Sequence, residues 1–220
     1  MKRWSFSYSK PSGIEIGGEP RTFFHTEVLV NWADIPDVKS SLEEYKRYGQ
    51  FVPPKEQELV FLYAEATYLK YGAIRNEFAS AAADYDQWLQ MRKSGRECFA
   101  LFQARLIEGS SPLAGTRLLR SGWNGDVVVD FVGTNFGVTK YRDRRYPNVG
   151  LFLLAAALDV AAESDAKLIW AETAAHSYEW WASLLESEPN FIKFDGVAAV
   201  RAKIEAALSS RGIYRENSNR

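Results

Sequence analysis

Hydrophobic and polar positions follow two different periods along the chain. In the N-terminal region, apolar residues recur every three to four positions, the spacing that places side chains on one face of a helix, and Pro or Gly bounds the runs. These predicted helices are 38–49, 53–72 and 74–92. Before them, the β-branched run 26–32 predicts a strand, and the Ser, Gly and Pro content of 1–22 predicts a loose arm.

After Gly95 the apolar positions form short strand-like runs separated by Gly, Ser, Asn and Pro, which hairpins use. The runs 98–107, 113–120 and 126–132 predict an antiparallel three-stranded meander. The elements predicted next are a helix at 147–164, a strand at 167–172, a helix at 174–186, a strand at 190–194, a helix at 197–210 and a frayed tail at 217–220. This order predicts an α/β protein that forms one domain over residues 1–220, in which residues 1–95 are mostly helical and residues 96–215 form the α/β region.

The composition argues against nucleic-acid binding, disulfide bonds and metal sites. A formal net charge of -1 gives no general attraction to phosphate backbones, so no nucleic acid partner is expected. Cys98 is the only cysteine, which excludes an intrachain disulfide and a cysteine-based zinc site. The two histidines, His25 and His176, lie far apart in sequence, and no metal site is predicted.

No segment of the sequence predicts a membrane span. The longest apolar stretch, 149–162, is interrupted by Asp159 and is shorter than the roughly 20 residues that a spanning helix needs. The basic N-terminus is not followed by an apolar run, so no signal peptide is predicted. We therefore expect a cytoplasmic protein.

The segment 126–150 places a loop rich in Gly and Arg between a predicted strand and the start of a predicted helix. Such a loop can bind a phosphate, because the first N–H groups of a helix are unpaired, the helix dipole is positive there, and arginines donate charge-assisted hydrogen bonds. The alternative is a solvated loop in which Arg142, Arg144 and Arg145 pair with Asp143 and other acids.

On these residues the chain resembles the GNAT superfamily of N-acetyltransferases, over about 98–194. The pyrophosphate loop of that family reads Arg or Gln, two residues, Gly, one residue, then Gly or Ala. Arg145 matches its first position and Gly150 its last, while Asn148 stands where the family usually has Gly. Asn tolerates the left-handed backbone conformation best after Gly, so the turn is expected to form.

The resemblance implies a fold, a co-substrate and a set of binding residues. The fold is GNAT-like, with a mixed, mainly antiparallel central sheet flanked by helices. The co-substrate is acetyl-CoA or another acyl-CoA, whose pantetheine arm pairs with the backbone of a strand. The implied binding residues are Val138, Thr139, Arg144, Arg145, Asn148, Val149 and Gly150.

Two catalytic residues follow from the same resemblance. Asp130, on the strand beside the implied cleft, is the candidate base for the amine, although it could also only cap or edge the strand. The family often has a tyrosine that protonates the thiolate where this chain has Trp181, and Tyr178, one turn earlier, is the candidate replacement. As an alternative, Tyr178 has no catalytic role and packs in the core as part of an apolar helix face with Trp181 and Leu185.

The implied function is acyl transfer to a small-molecule or peptide amine by direct attack. An acyl-homoserine-lactone-synthase-like branch stays open, because Arg75, Phe78, Asp84 and Asp86 resemble its pattern. The main alternative is a non-catalytic GNAT-like binding or assembly protein, which Pro147, Asn148 and Trp181 favour. A homodimer is compatible with either.

Overall fold

The structure is a computed structural model that describes residues 3–11, 23–33, 79–95, 97–106, 112–120, 125–134, 148–172, 178–184 and 192–218. The strands are β1 (Arg3–Pro11), β2 (Phe23–Ala33), β3 (Ala79–Ala81), β4 (Glu97–Leu106), β5 (Pro112–Arg120), β6 (Val127–Thr134), β7 (Leu168–Glu172), β8 (Ile192–Gly196) and β9 (Tyr214–Ser218). The helices are α1 (Tyr85–Lys93), α2 (Val149–Glu163), α3 (Tyr178–Leu184) and α4 (Val197–Ser209).

All the described strands join one mixed sheet, in the order β8-β7-β6-β5-β4-β2-β1-β9, with β3 paired to β4 beside this path. Neighbours along the order are antiparallel except β6 and β7, which are parallel. A parallel pair needs a crossover connection, and α2 lies between these two strands in the chain. The predicted architecture, a mixed, mainly antiparallel central sheet flanked by helices, is confirmed.

The main core lies between α2 and one face of the sheet. Helix α2 is buried continuously from Leu151 to Ala161, as expected of a helix that is apolar on almost every side. Its Phe152 stacks on Phe6 of β1, with ring centroids 4.6 Å apart. On the opposite face of β4, Phe99 and Leu101 are buried too, so the centre of the sheet is covered on both faces.

The second half of the chain follows the predicted order closely. The meander appears as β4, β5 and β6, and α2, β7, α3, β8 and α4 follow in the predicted sequence. In the described part of this region the hydrophobic period agrees with the observed strands and helices, so local and global preferences support the same fold. The predicted strand 26–32 is also confirmed and is longer, as β2.

Three predictions near the ends and the middle of the chain are wrong. The expected loose arm contains β1, in which Trp4, Phe6 and Tyr8 alternate with polar residues at the period of a strand. The expected frayed tail begins inside β9, which pairs with β1. The helix predicted at 74–92 is interrupted, because β3 precedes α1 and the Asp84 carboxylate accepts the N–H of Gln87 at 2.8 Å, which caps the helix start.

The predicted helices 38–49 and 53–72 lie outside the described residues, so a helix-rich N-terminal region is not confirmed. None of the helices that the structure describes is long and apolar enough to cross a membrane.

Candidate functional site

The edge of β6 that faces β7 is paired with β7 along only part of its length, and we call the part not paired with β7, 130–134, the open edge. The parallel pairing of the two strands runs from Val127 with Ile169 to Val129 with Ala171. Strand β6 continues through 130–134, whereas β7 ends at Glu172. Within the described residues, this edge of 130–134 has no strand partner, although the other edge stays paired with β5. An extended ligand can add to such an edge through backbone hydrogen bonds.

Asp130 lies at the first position of this open edge and in a β-bulge. On β5, Leu118 pairs with Val129 and Arg117 pairs with Phe131, so Asp130 is the extra residue between two registers. Bulges bend a strand and occur often next to active sites, where they redirect a side chain. The backbone therefore places Asp130 where pairing with β7 stops, and its side-chain position lies outside what the structure describes.

The N-terminus of α2 has the features of an anion site. Asn148 precedes the helix at φ 68° and ψ 10°, the left-handed conformation expected for an Asn in place of Gly. Its carbonyl accepts the N–H groups of Leu151 at 2.9 Å and Phe152 at 3.2 Å. The N–H groups of Val149 and Gly150 precede these first helical hydrogen bonds, and no acidic residue occupies the first turn. The helix dipole therefore favours an anion here.

The side chain of Trp180 in α3 lies against this helix start. Trp180 is partly buried, and its Cζ2 lies 3.9 Å from the position that a Cβ on Gly150 would take. The neighbouring Trp181 is 5% exposed and contacts Trp180 edge to face, with centroids 4.7 Å apart. Trp181 thus belongs to the core. It has no acidic proton to give to a thiolate, in agreement with the sequence interpretation.

Tyr178 begins α3, and only its backbone is described. Four of the predicted binding residues lie outside the described residues; they are Val138, Thr139, Arg144 and Arg145. Val149 is buried as the first residue of α2, so its contribution to a ligand site is limited to its backbone N–H. No group of His, Cys, Asp or Glu side chains in the described part of the chain could hold a metal ion.

Sequence reasoning missed two features of this site. The open edge at 130–134 depends on where pairing with β7 ends, and strand pairing has no local sequence signal. The contact of Trp180 with Gly150 joins residues of different helices, and the aromatic pattern of 178–185 predicts only a core stripe. The bulge at Asp130 could have been suspected from the acidic residue within an otherwise apolar strand.

No family model matches the chain, and no curated protein matches it. Solved structures do match. A protein from Desulfovibrio desulfuricans assigned to the GNAT-family acetyltransferases is 14% identical and covers 77% of this chain and 99% of its own, at a TM-score of 0.41. A GNAT-family acetyltransferase from Staphylococcus aureus Mu50 is 10% identical over 76% of this chain and 99% of its own, at 0.40.

A Salmonella typhimurium protein assigned to the acetyltransferases, solved with its cofactor acetyl-CoA, is 13% identical over 77% of this chain and 94% of its own, at a TM-score of 0.40. Because these identities and TM-scores are low, only the chain's own residues bear on the chemistry of the site.

Proposed function

We propose that this chain is an acyl-CoA-dependent N-acyltransferase that moves an acetyl or other acyl group to an amine by direct attack. The observation that carries the proposal is the open edge of β6 at 130–134 together with the start of α2. In parallel α/β arrangements, ligands bind in the crevice beyond the carboxyl ends of the strands, and both features lie at that end of β6 and β7.

The two features fit the two portions of an acyl-CoA. A pyrophosphate fits the N–H groups of Val149 and Gly150, where the helix is free of acidic residues. The amide-bearing pantetheine arm fits the open edge of β6, whose backbone groups can pair with it as with an added strand. Arg144 and Arg145 of the preceding loop would add charge-assisted contacts to the phosphates, as the resemblance implies.

When bound, the thioester supplies an activated acyl carbon. The chain's own role is to hold an amine near that carbon and to manage two protons. The nitrogen–carbon bond forms as the carbon–sulfur bond breaks; Asp130 takes the proton that the amine loses, directly or through a water. The departing thiolate takes a proton, for which Tyr178 is the candidate donor in place of Trp181.

An activity measurement tests this assignment. Purified protein is incubated with acetyl-CoA and a panel of small amines and N-terminal peptides, and release of the CoA thiol is recorded. We expect acceptor-dependent release that Asp130→Asn lowers about 100-fold or more, the usual contribution of a general base, while the Kd for acetyl-CoA stays within a factor of two. Release that is unchanged in Asp130→Asn would remove this residue from the reaction.

A second function is favoured by one observation. Trp181 is buried in the core at the position where the family often has its proton-donating tyrosine. A binding or assembly protein that keeps the fold without the chemistry would need no donor there. In that case CoA would not raise the unfolding temperature, while the true ligand would, because stabilisation depends only on affinity for the folded state.

We also propose that residues 1–220 form one domain located in the cytoplasm, with a small-molecule or peptide amine as partner. The single sheet supports one domain, since β1 and β9 pair across the whole length of the chain.

A further inference from the structure

We draw no further inference here: the strongest candidate, a row of Asn31, Gln103, Gly115 and Gly133 across the sheet face opposite α2, in which the buried Oδ1 of Asn31 accepts no hydrogen bond from the described residues, carries none because nothing in the structure shows what covers that face.

Discussion

Asp159 is a buried carboxylate whose removal should destabilise the fold strongly. It lies in α2, is 3% exposed, and accepts the indole N–H of Trp4 at 2.8 Å. Arg201 of α4 lies 3.1 Å from the other oxygen, Oδ1, and Arg215 of β9 contacts Oδ2, the oxygen that also accepts the indole N–H. One carboxylate therefore connects the first strand, the last strand and both long helices of the second half.

The expected magnitude follows from the burial of each partner. The side chain of Arg215 is 9% exposed, and burial lowers the pKa of its guanidinium, but an arginine stays charged at neutral pH. Removing one partner of a buried ion pair costs about 3–5 kcal/mol, because the other charge stays buried. Arg201 is 46% exposed, so water replaces its lost contact at a cost of about 0–1 kcal/mol.

We therefore predict that Asp159→Asn lowers the free energy of unfolding by about 3–5 kcal/mol, out of a typical total of 5–15 kcal/mol. The Asn keeps a carbonyl oxygen for Trp4, so the change isolates the charge. Urea unfolding followed by circular dichroism measures it. The control is Glu205→Gln, which removes the exposed second partner of Arg215 and should cost less than about 1 kcal/mol.

A double variant separates a lost ion pair from damaged packing. Asp159→Leu combined with Arg215→Met removes both buried charges and should recover much of the stability lost in Asp159→Leu alone. A loss below about 1 kcal/mol in Asp159→Asn would show that the charge of Asp159 does not stabilise the buried Arg215. Equal losses in Asp159→Asn and in the Glu205→Gln control would show the same.

Two further predictions concern the start of α2. A Cβ on residue 150 has no atom closer than 3.9 Å, so Gly150→Ala should not lower the unfolding temperature. If a phosphate packs against this turn, the same variant should raise the Kd for acetyl-CoA about ten-fold. Thermal unfolding measures the first effect and calorimetry the second. Asn148→Ala should lower the free energy of unfolding by about 1–2 kcal/mol, because Ala disfavours the left-handed conformation. Asn148→Gly should leave this free energy unchanged or raise it. If urea unfolding shows that Ala stabilises the protein and Gly destabilises it, residue 148 does not have the left-handed backbone.

The sequence predicts most of the second half of the fold because hydrophobic period and turn residues agree there. It fails at β1, where the Ser residues that alternate with Trp4, Phe6 and Tyr8 suggest a loop although the alternation is that of a strand. It also cannot indicate that Asp159 meets Arg215, since this contact depends on β9 crossing to β1 at the far edge of the sheet.

The candidate site is predictable only to a limited extent. Asn148 is expected in the left-handed conformation because few other residues tolerate it, and the structure has it there. The end of β6–β7 pairing at Val129 and the contact of Trp180 with Gly150 depend on tertiary packing, which leaves no periodic signal. The roles of Asp130, Tyr178 and Arg145 stay predictions.

Titration of acetyl-CoA into the wild type and Arg145→Ala by calorimetry tests whether the chain has an acyl-CoA site at the start of α2. We predict one acetyl-CoA bound per chain in the wild type, with an affinity at least ten-fold weaker in Arg145→Ala because a charge-assisted phosphate contact is lost. Absence of any binding heat at millimolar acetyl-CoA, with no rise in unfolding temperature, would show that the chain has no acyl-CoA site.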